Sequence, residues 1–190
     1  MGKIVISENL SLDGVVQDPT GEEGFARGGW FGQIKDRDEL NKLALDDALG
    51  AAALLLGRRS YQFLAARWPS RTGALADRLN HLPKYVVSST VDDPDWNNST
   101  VLNGDVVTRV SKLRQEVDGD IVTLASFELV HTLLENDLVD ELRLTIHPVI
   151  LGAGERLFRE TSETKPLRLV RAQGLGDGVA YLTYQPVRDA

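Results

Sequence analysis

Apolar and polar positions along this chain follow two periods in alternation, and the switches between them mark out the elements. Lys3–Asn9 (KIVISEN) sets β-branched residues around an apolar centre and predicts a first strand, closed by the turn Ser11–Gly14 (SLDG). Val15–Lys35 follows neither period and predicts a long loop containing GEEGFARGGWFG. From Asp36 to about Leu49, Leu40, Leu43, Ala44 and Ala48 recur at helical spacing, with Asp36 placed to cap. Ala51–Leu56 is a continuous apolar run bounded by Gly57, which suits a parallel strand buried on both faces.

The rest of the chain repeats this scheme. Ser60–Trp68 and Ala74–Leu82 predict helices separated by a Pro-Ser-Arg-Thr-Gly break. Lys84–Ser88 predicts a strand, Asp92–Ser99 a loop and Thr100–Leu102 a short strand. Asp105–Glu116 is amphipathic, with Val106, Val110 and Leu113 on one stripe. Asp120–Leu124 predicts the next strand and Ser126–Glu135 the next helix. Glu141–Val149 alternates, with Leu142, Leu144 and Ile146 on one face, and Leu151–Glu155 is a turn. Lys165–Ala172 and Val179–Pro186 flank GLGDG and predict an antiparallel hairpin. Strands alternating with helices predict a three-layer α/β fold around a mostly parallel central sheet, as a single domain over residues 1–190.

In such a sheet, ligands sit beyond the C-terminal ends of the strands. Three strand exits carry the residues an anion wants. Gly57, Arg58, Arg59 and Ser60 form a strand–turn–helix with free backbone N–H groups and two forked guanidinium donors. Ser88, Ser89 and Thr90 put hydroxyls just past KYVV. Ala125 and Ser126 follow DIVTL, with Ser126 as a helix cap whose helix points its positive end at a phosphate. The glycine spacings of a P-loop and of a dinucleotide fingerprint are both absent.

Composition narrows the chemistry. The chain of 190 residues has no cysteine, which removes disulfides, zinc-thiolate sites and cysteine nucleophiles. A formal net charge of −7 argues against a general nucleic-acid binder. No apolar stretch approaches a membrane span, and MGKIVISENL does not read as a signal peptide, so the expectation is a soluble cytoplasmic protein. His81, His131 and His147 are dispersed without metal-ligand spacing and read as structural or surface residues. No metal is expected.

These features together resemble the dihydrofolate reductase-like fold family, in the branch related to the C-terminal reductase domain of bacterial riboflavin biosynthesis deaminase-reductases. The resemblance rests on Ser11–Gly14, LLLGRRSY at Leu54–Tyr61, LPKYVVSST at Leu82–Thr90, ELVHTLLENDLVDEL at Glu128–Leu142 and HPVILGAGERLF at His147–Phe158. It implies an NADPH-dependent reductase acting on a small heterocyclic, pterin- or pyrimidine-like, or carbonyl substrate. It implies that Gly57, Arg58, Arg59 and Ser60 contact the adenosine phosphates, that Ser88 and Ser89 hold the 2′-phosphate side, and that Ala125, Ser126 and Phe127 lie along the pyrophosphate. A homodimer built on the C-terminal strands is implied as well. The chain departs from the family in three places. Ala125 stands where glycine is usual, and Val15 follows the SLDG turn in place of a basic residue, which argues against a phosphoribosyl pyrimidine. No clear helix-borne carboxylate appears, since Asp36, Asp38 and Glu39 open their helix as dipole and capping residues. A non-catalytic nucleotide-binding or stress-response module on the same fold is the alternative.

The exit of strand one supplies the remaining candidates. Asp13 is the ionisable residue there, placed to relay a proton or orient substrate, or else simply part of an Asp-Gly turn. Leu12 would help floor the pocket. Trp30, in GGWFG, would cover a planar substrate or tack the loop down. Gly152 would approach the substrate or serve a tight connection.

Overall fold

A computed structural model of the chain describes residues 1–188. In chain order the elements are β1 (Lys3–Ser11), α1 (Asp38–Gly50), β2 (Ala51–Gly57), α2 (Arg58–Ala65), α3 (Ala74–His81), β3 (Lys84–Val87), β4 (Ser99–Leu102), α4 (Val106–Glu116), β5 (Asp120–Leu124), α5 (Phe127–Glu135), β6 (Glu141–His147), β7 (Leu167–Leu175) and β8 (Val179–Pro186). One sheet of eight strands runs in the order β4-β3-β2-β5-β1-β6-β8-β7. The first six strands pair in parallel, and β8 and β7 close the edge in antiparallel fashion. The predicted three-layer architecture and the terminal hairpin are both present.

Each apolar run finds the environment its pattern demands. Along β2, Leu55 packs with Ile4, Ile6, Leu113 and Leu133 on the α4–α5 face. Leu54 and Leu56 pack with Ala48, Tyr61 and Leu79 on the α1–α3 face. A strand sandwiched this way has no polar face to show, hence the unbroken AAALLL. β1 alternates in the same sense, with Ile4, Ile6 and Leu10 on the α5 side.

Several boundaries differ from the pattern. α1 starts at Asp38, because the Asp36 backbone N–H goes to Asp177 Oδ2 and its own side chain accepts from Asp38 N. α2 takes in Arg58 and Arg59, since Gly57 is already its extended N-cap residue. β6 ends at His147 and β7 runs to Leu175. The loop after β1 contains a 3-10 turn at Trp30–Gln33.

The topology sets up the site. The chain leaves β1, crosses with α1 to β2 and continues outward to β4. It then returns through α4 to fill the gap between β2 and β1 with β5. Connections therefore leave in opposite directions around β5, and such a switch point opens a crevice at the strand ends.

Candidate functional site

A cavity of about 1030 Å³ occupies that crevice. Gly57, Arg58, Arg59 and Ser60 line it from the β2 exit, and Ala125, Ser126 and Phe127 from the β5 exit. A second cavity of about 420 Å³ lies beside it, lined by Ser88, Ser89 and Thr90 past β3 and by Gly104 and Val106. Arg58 lines both. The β2 and β5 exits thus open onto the larger cavity and the β3 exit onto the smaller one.

The two central exits are laced together. Gly57 N donates to Ser126 Oγ at 3.0 Å, Ser126 Oγ donates to Leu124 O at 2.8 Å, and Ser60 Oγ donates to Ala125 O at 2.5 Å. Ser126 therefore does not cap α5 through its side chain, contrary to expectation, because its hydroxyl is spent bridging β5 to β2. The Gly57 N–H is likewise engaged and is not a free anion donor. Ala125 has φ +50°, the left-handed region where glycine is favoured. These bonds hold a residue with a Cβ in a conformation that costs it about 1 kcal/mol or more. Ser88 Oγ accepts from Thr90 N and Val91 N, which fixes the β3 exit as a tight turn.

An acid that sequence reasoning missed completes this end. Glu8 points inward from β1, is 5 % exposed and lines the larger cavity. Its Oε1 accepts from Ser126 N at 3.2 Å. Burial outweighs the backbone hydrogen bonds and pushes its pKa up to about 8, so the carboxyl is neutral at pH 7. The available signal was a charged residue at an inward position of a strand whose other inward positions are Ile4, Ile6 and Leu10.

The opposite end of the cavity lies between β1, β6 and α1. Asn9, Thr145, His147, Phe31, Arg37, Asn41 and Asp47 line it. His147 is 2 % exposed, with Nε2 3.2 Å from Asn9 Oδ1. Phe31 stacks on its ring at a centroid distance of 5.0 Å. Burial, with Arg37 adding to it, lowers its pKa to about 4, so the ring is neutral. With Asn9 accepting from Nε2–H, Nδ1 is left as a buried acceptor without a partner among the described residues. His147 is thus a wall residue of the cavity, which its isolated position in the sequence did not signal. Asp47 is the acid that α1 contributes, with burial raising its pKa against the pull of Arg143. Asp36, Asp38 and Glu39 do not line the cavity, and Glu39 instead accepts from Gly176 N.

Four of the sequence-predicted site residues sit elsewhere. Asp13 is not in the cavity wall. Its carboxylate accepts from Ser11 Oγ at 2.7 Å, Leu151 N at 3.0 Å and Gly152 N at 2.8 Å. The Ser11 hydroxyl and these backbone donors lower its pKa to about 2, so it holds no proton to give near neutrality. Asp13 clamps the 151–152 loop against the β1 exit. Gly152 is the other half of that clamp, at φ +71°, and not a pocket residue. Leu12 is 63 % exposed and does not line the cavity. Trp30 is 1 % exposed, packed with Val15 and Leu151 while its Nε1 donates to Gln17 O. It tacks the loop down, and the residue that the loop offers to the cavity is its neighbour Phe31. Among the described residues no group of three or more His, Asp or Glu side chains converges as a metal site, and no helix is long and apolar enough to cross a membrane.

By comparison with known proteins, this parallel sheet with a cavity at its switch point is a reductase-like fold. The solved dihydrofolate reductase from Enterococcus faecalis, complexed with NADP(H), has this fold: TM-score 0.64 at 15% identity, covering 97% of this chain and 96% of that one. The sequence model of the RibD C-terminal domain matches residues 2–181, and the chain belongs to that family. It is 27% identical over 188 residues to the uncharacterized protein YyaP of Bacillus subtilis, covering 96% of this chain and 94% of that protein. A protein from Shewanella sp. PV-4, provisionally assigned to riboflavin biosynthesis, matches with TM-score 0.78 at 19% identity over 98% of this chain and 99% of its own.

Proposed function

We propose that this protein is an NADPH-dependent reductase that transfers hydride to a small heterocyclic or carbonyl substrate. The observation that carries the reading is the pair of cavities meeting at Arg58. A dinucleotide needs a long groove for its diphosphate, and a 2′-phosphate needs a separate polar recess. The smaller cavity offers Ser88, Ser89 and Thr90 together with Arg58, a donor set that suits a phosphate. At about 1030 Å³ the larger cavity is at the top of the usual range for ligand pockets, and has room for the rest of a cofactor and a small substrate.

In this reading Arg58 and Arg59 hold the adenosine phosphates, Ser60 braces the Ala125–Phe127 turn, and that turn lies along the diphosphate. When bound, NADPH supplies the hydride. The chain's own part is orientation and exclusion of water. Phe31, stacked on His147, gives the substrate end an aromatic wall, while Asn9, Thr145 and Asn41 give it polar anchors. The bound pair would meet in the part of the crevice beside β1. A cytoplasmic homodimer assembled through the exposed edge strand β7 accompanies this reading.

The experiment is NADPH oxidation followed at its near-ultraviolet band, against pterin, pyrimidine and simple carbonyl panels. Turnover on at least one panel supports the reading. Ala125 is the observation that favours a second reading, a nucleotide-binding module without turnover, because its Cβ stands at the turn the cofactor would approach. Tight NADPH binding with no oxidation on any panel would select it.

A further inference from the structure

Glu8 is a buried acid on the cavity wall that the proposed hydride transfer does not use. It rises from the centre of β1 directly beside the β5 exit, where Ser7 pairs with Leu124, the last residue of β5. Its Oε1 accepts the Ser126 N–H, and the Ala125 backbone N–H also bears on the carboxyl. The Ser126 N–H lies at the turn opening α5, where the helix end favours negative charge. The same turn is fixed from the other side by Ser60 Oγ on the Ala125 carbonyl and by Gly57 N on Ser126 Oγ. A carboxyl group has thus been built into the back of the anion-facing turn, buried and lining the same cavity.

Among the described residues no countercharge meets it. The basic groups on the cavity wall are Arg58 and Arg59 from α2, Arg67 and Arg71 from the segment after α2, and Arg37 just before α1, and among the described residues none bonds to Glu8. The acids are Asp47 from α1, engaged by Arg143, Glu128 from α5, paired with Arg159, and Asp18 and Glu23 from the loop. β6 contributes the neutral His147, and the residue paired with Glu8 across β6 is Leu144. A carboxylate left unpaired in such a place is costly, which agrees with a pKa near 8 set by burial and opposed only by backbone N–H groups.

We propose that Glu8 is the positioning residue of the cofactor site: as a neutral acid it holds the Ala125–Ser126 turn ready for the cofactor's diphosphate, and its ionisation works against that anion. The inference rests on the reading of the cavity as an NADPH site. Below about pH 8 the carboxyl is protonated and adds no negative charge to the turn. Above it, a buried anion stands within one residue of where the phosphates come, and like charges in a low-dielectric site repel strongly. NADPH affinity therefore falls as pH rises through that value. By linkage, bound NADPH raises the acid's pKa further, so binding near pH 8 takes up a fraction of a proton.

The test is calorimetric titration of the full chain with NADPH between pH 7 and 9.5, in buffers of different ionisation enthalpy. We expect affinity to drop at least about tenfold across that range, as one linked proton allows. Proton uptake should peak above pH 8, between the pKa values of the free and the bound protein. Glu8→Gln, which keeps the acceptor oxygen for Ser126 N and cannot ionise, should bind with a pH profile flat to about twofold and with no uptake. Wild-type affinity flat over the range, or a fall unchanged in Glu8→Gln, overturns the proposal. The buffer dependence of the wild type decides the matter even if the variant does not fold. Failure to bind NADPH at any pH would instead strike the cofactor reading itself.

Discussion

Replacing Asp13 by Asn separates a clamp from a catalyst at the β1 exit. The carboxylate takes three hydrogen bonds, from Ser11 Oγ and from the backbone N–H groups of Leu151 and Gly152. The amide keeps the size and one acceptor oxygen but loses the charge and the second acceptor. Hydrogen bonds to a charged group contribute about 1.5–3 kcal/mol each, against roughly half that for neutral pairs. The fall of the Asp13 pKa to about 2 is worth roughly 2 kcal/mol before screening by solvent. With the side chain 19% exposed, the expected loss is about 1–2 kcal/mol. The sign is that of a depressed carboxylate. The stabilisation is complete above the unfolded pKa, near 4, and is lost as pH falls towards about 2. Urea midpoints of wild type and Asp13→Asn should therefore differ at pH 7 and converge in acid. Turnover should fall by no more than about tenfold, through a looser 151–152 loop, and not by the ~10²–10⁴ that losing a positioned acid or base brings. Equal stability at pH 7 together with a hundredfold loss of turnover would refute the clamp and return Asp13 to the chemistry.

Three further predictions use other parts of the molecule. Arg58→Ala should weaken NADPH more than NADH, narrowing the gap by about 1–3 kcal/mol in calorimetry, because Arg58 lines the recess assigned to the 2′-phosphate. Lys84, fully buried, donates to the carbonyls of Asn80, Leu82 and Asn97, so Lys84→Met should cost about 3 kcal/mol in chemical unfolding followed by fluorescence. Leu167, Leu169 and Val170 are exposed on the edge strand β7, and light scattering should give a particle near twice the 20.9 kDa chain mass, with Leu169→Asp shifting it to the monomer.

The elements were legible because their periods are local. AAALLLG shows a doubly buried strand and the glycine that ends it, and the two residues after it form the first turn of α2. The phosphate-facing exits were legible for the same reason, since strand ends are read directly from the chain. Long-range partnerships were not. Asp13 looked chemical because nothing in SLDG announces that Leu151 and Gly152 will fold back onto it. Trp30 and Phe31 are adjacent, and only the packing of Val15 and Leu151 decides which ring is buried and which faces the cavity. His147 stood alone in the sequence and acquires its meaning from Asn9, brought beside it by β1–β6 pairing. Glu8 could have been flagged by its inward position, but its role depends on the Ser126 N–H that β5 delivers.

The measurement that bears most directly on the central claim is the binding of NADPH and NADH to the full chain, followed by calorimetry at pH 7 with Arg58→Ala in parallel. The account predicts that NADPH binds the wild type at least about tenfold more tightly than NADH, and that the preference shrinks in the variant. No binding of either dinucleotide, or equal affinity for both in the wild type, would contradict it.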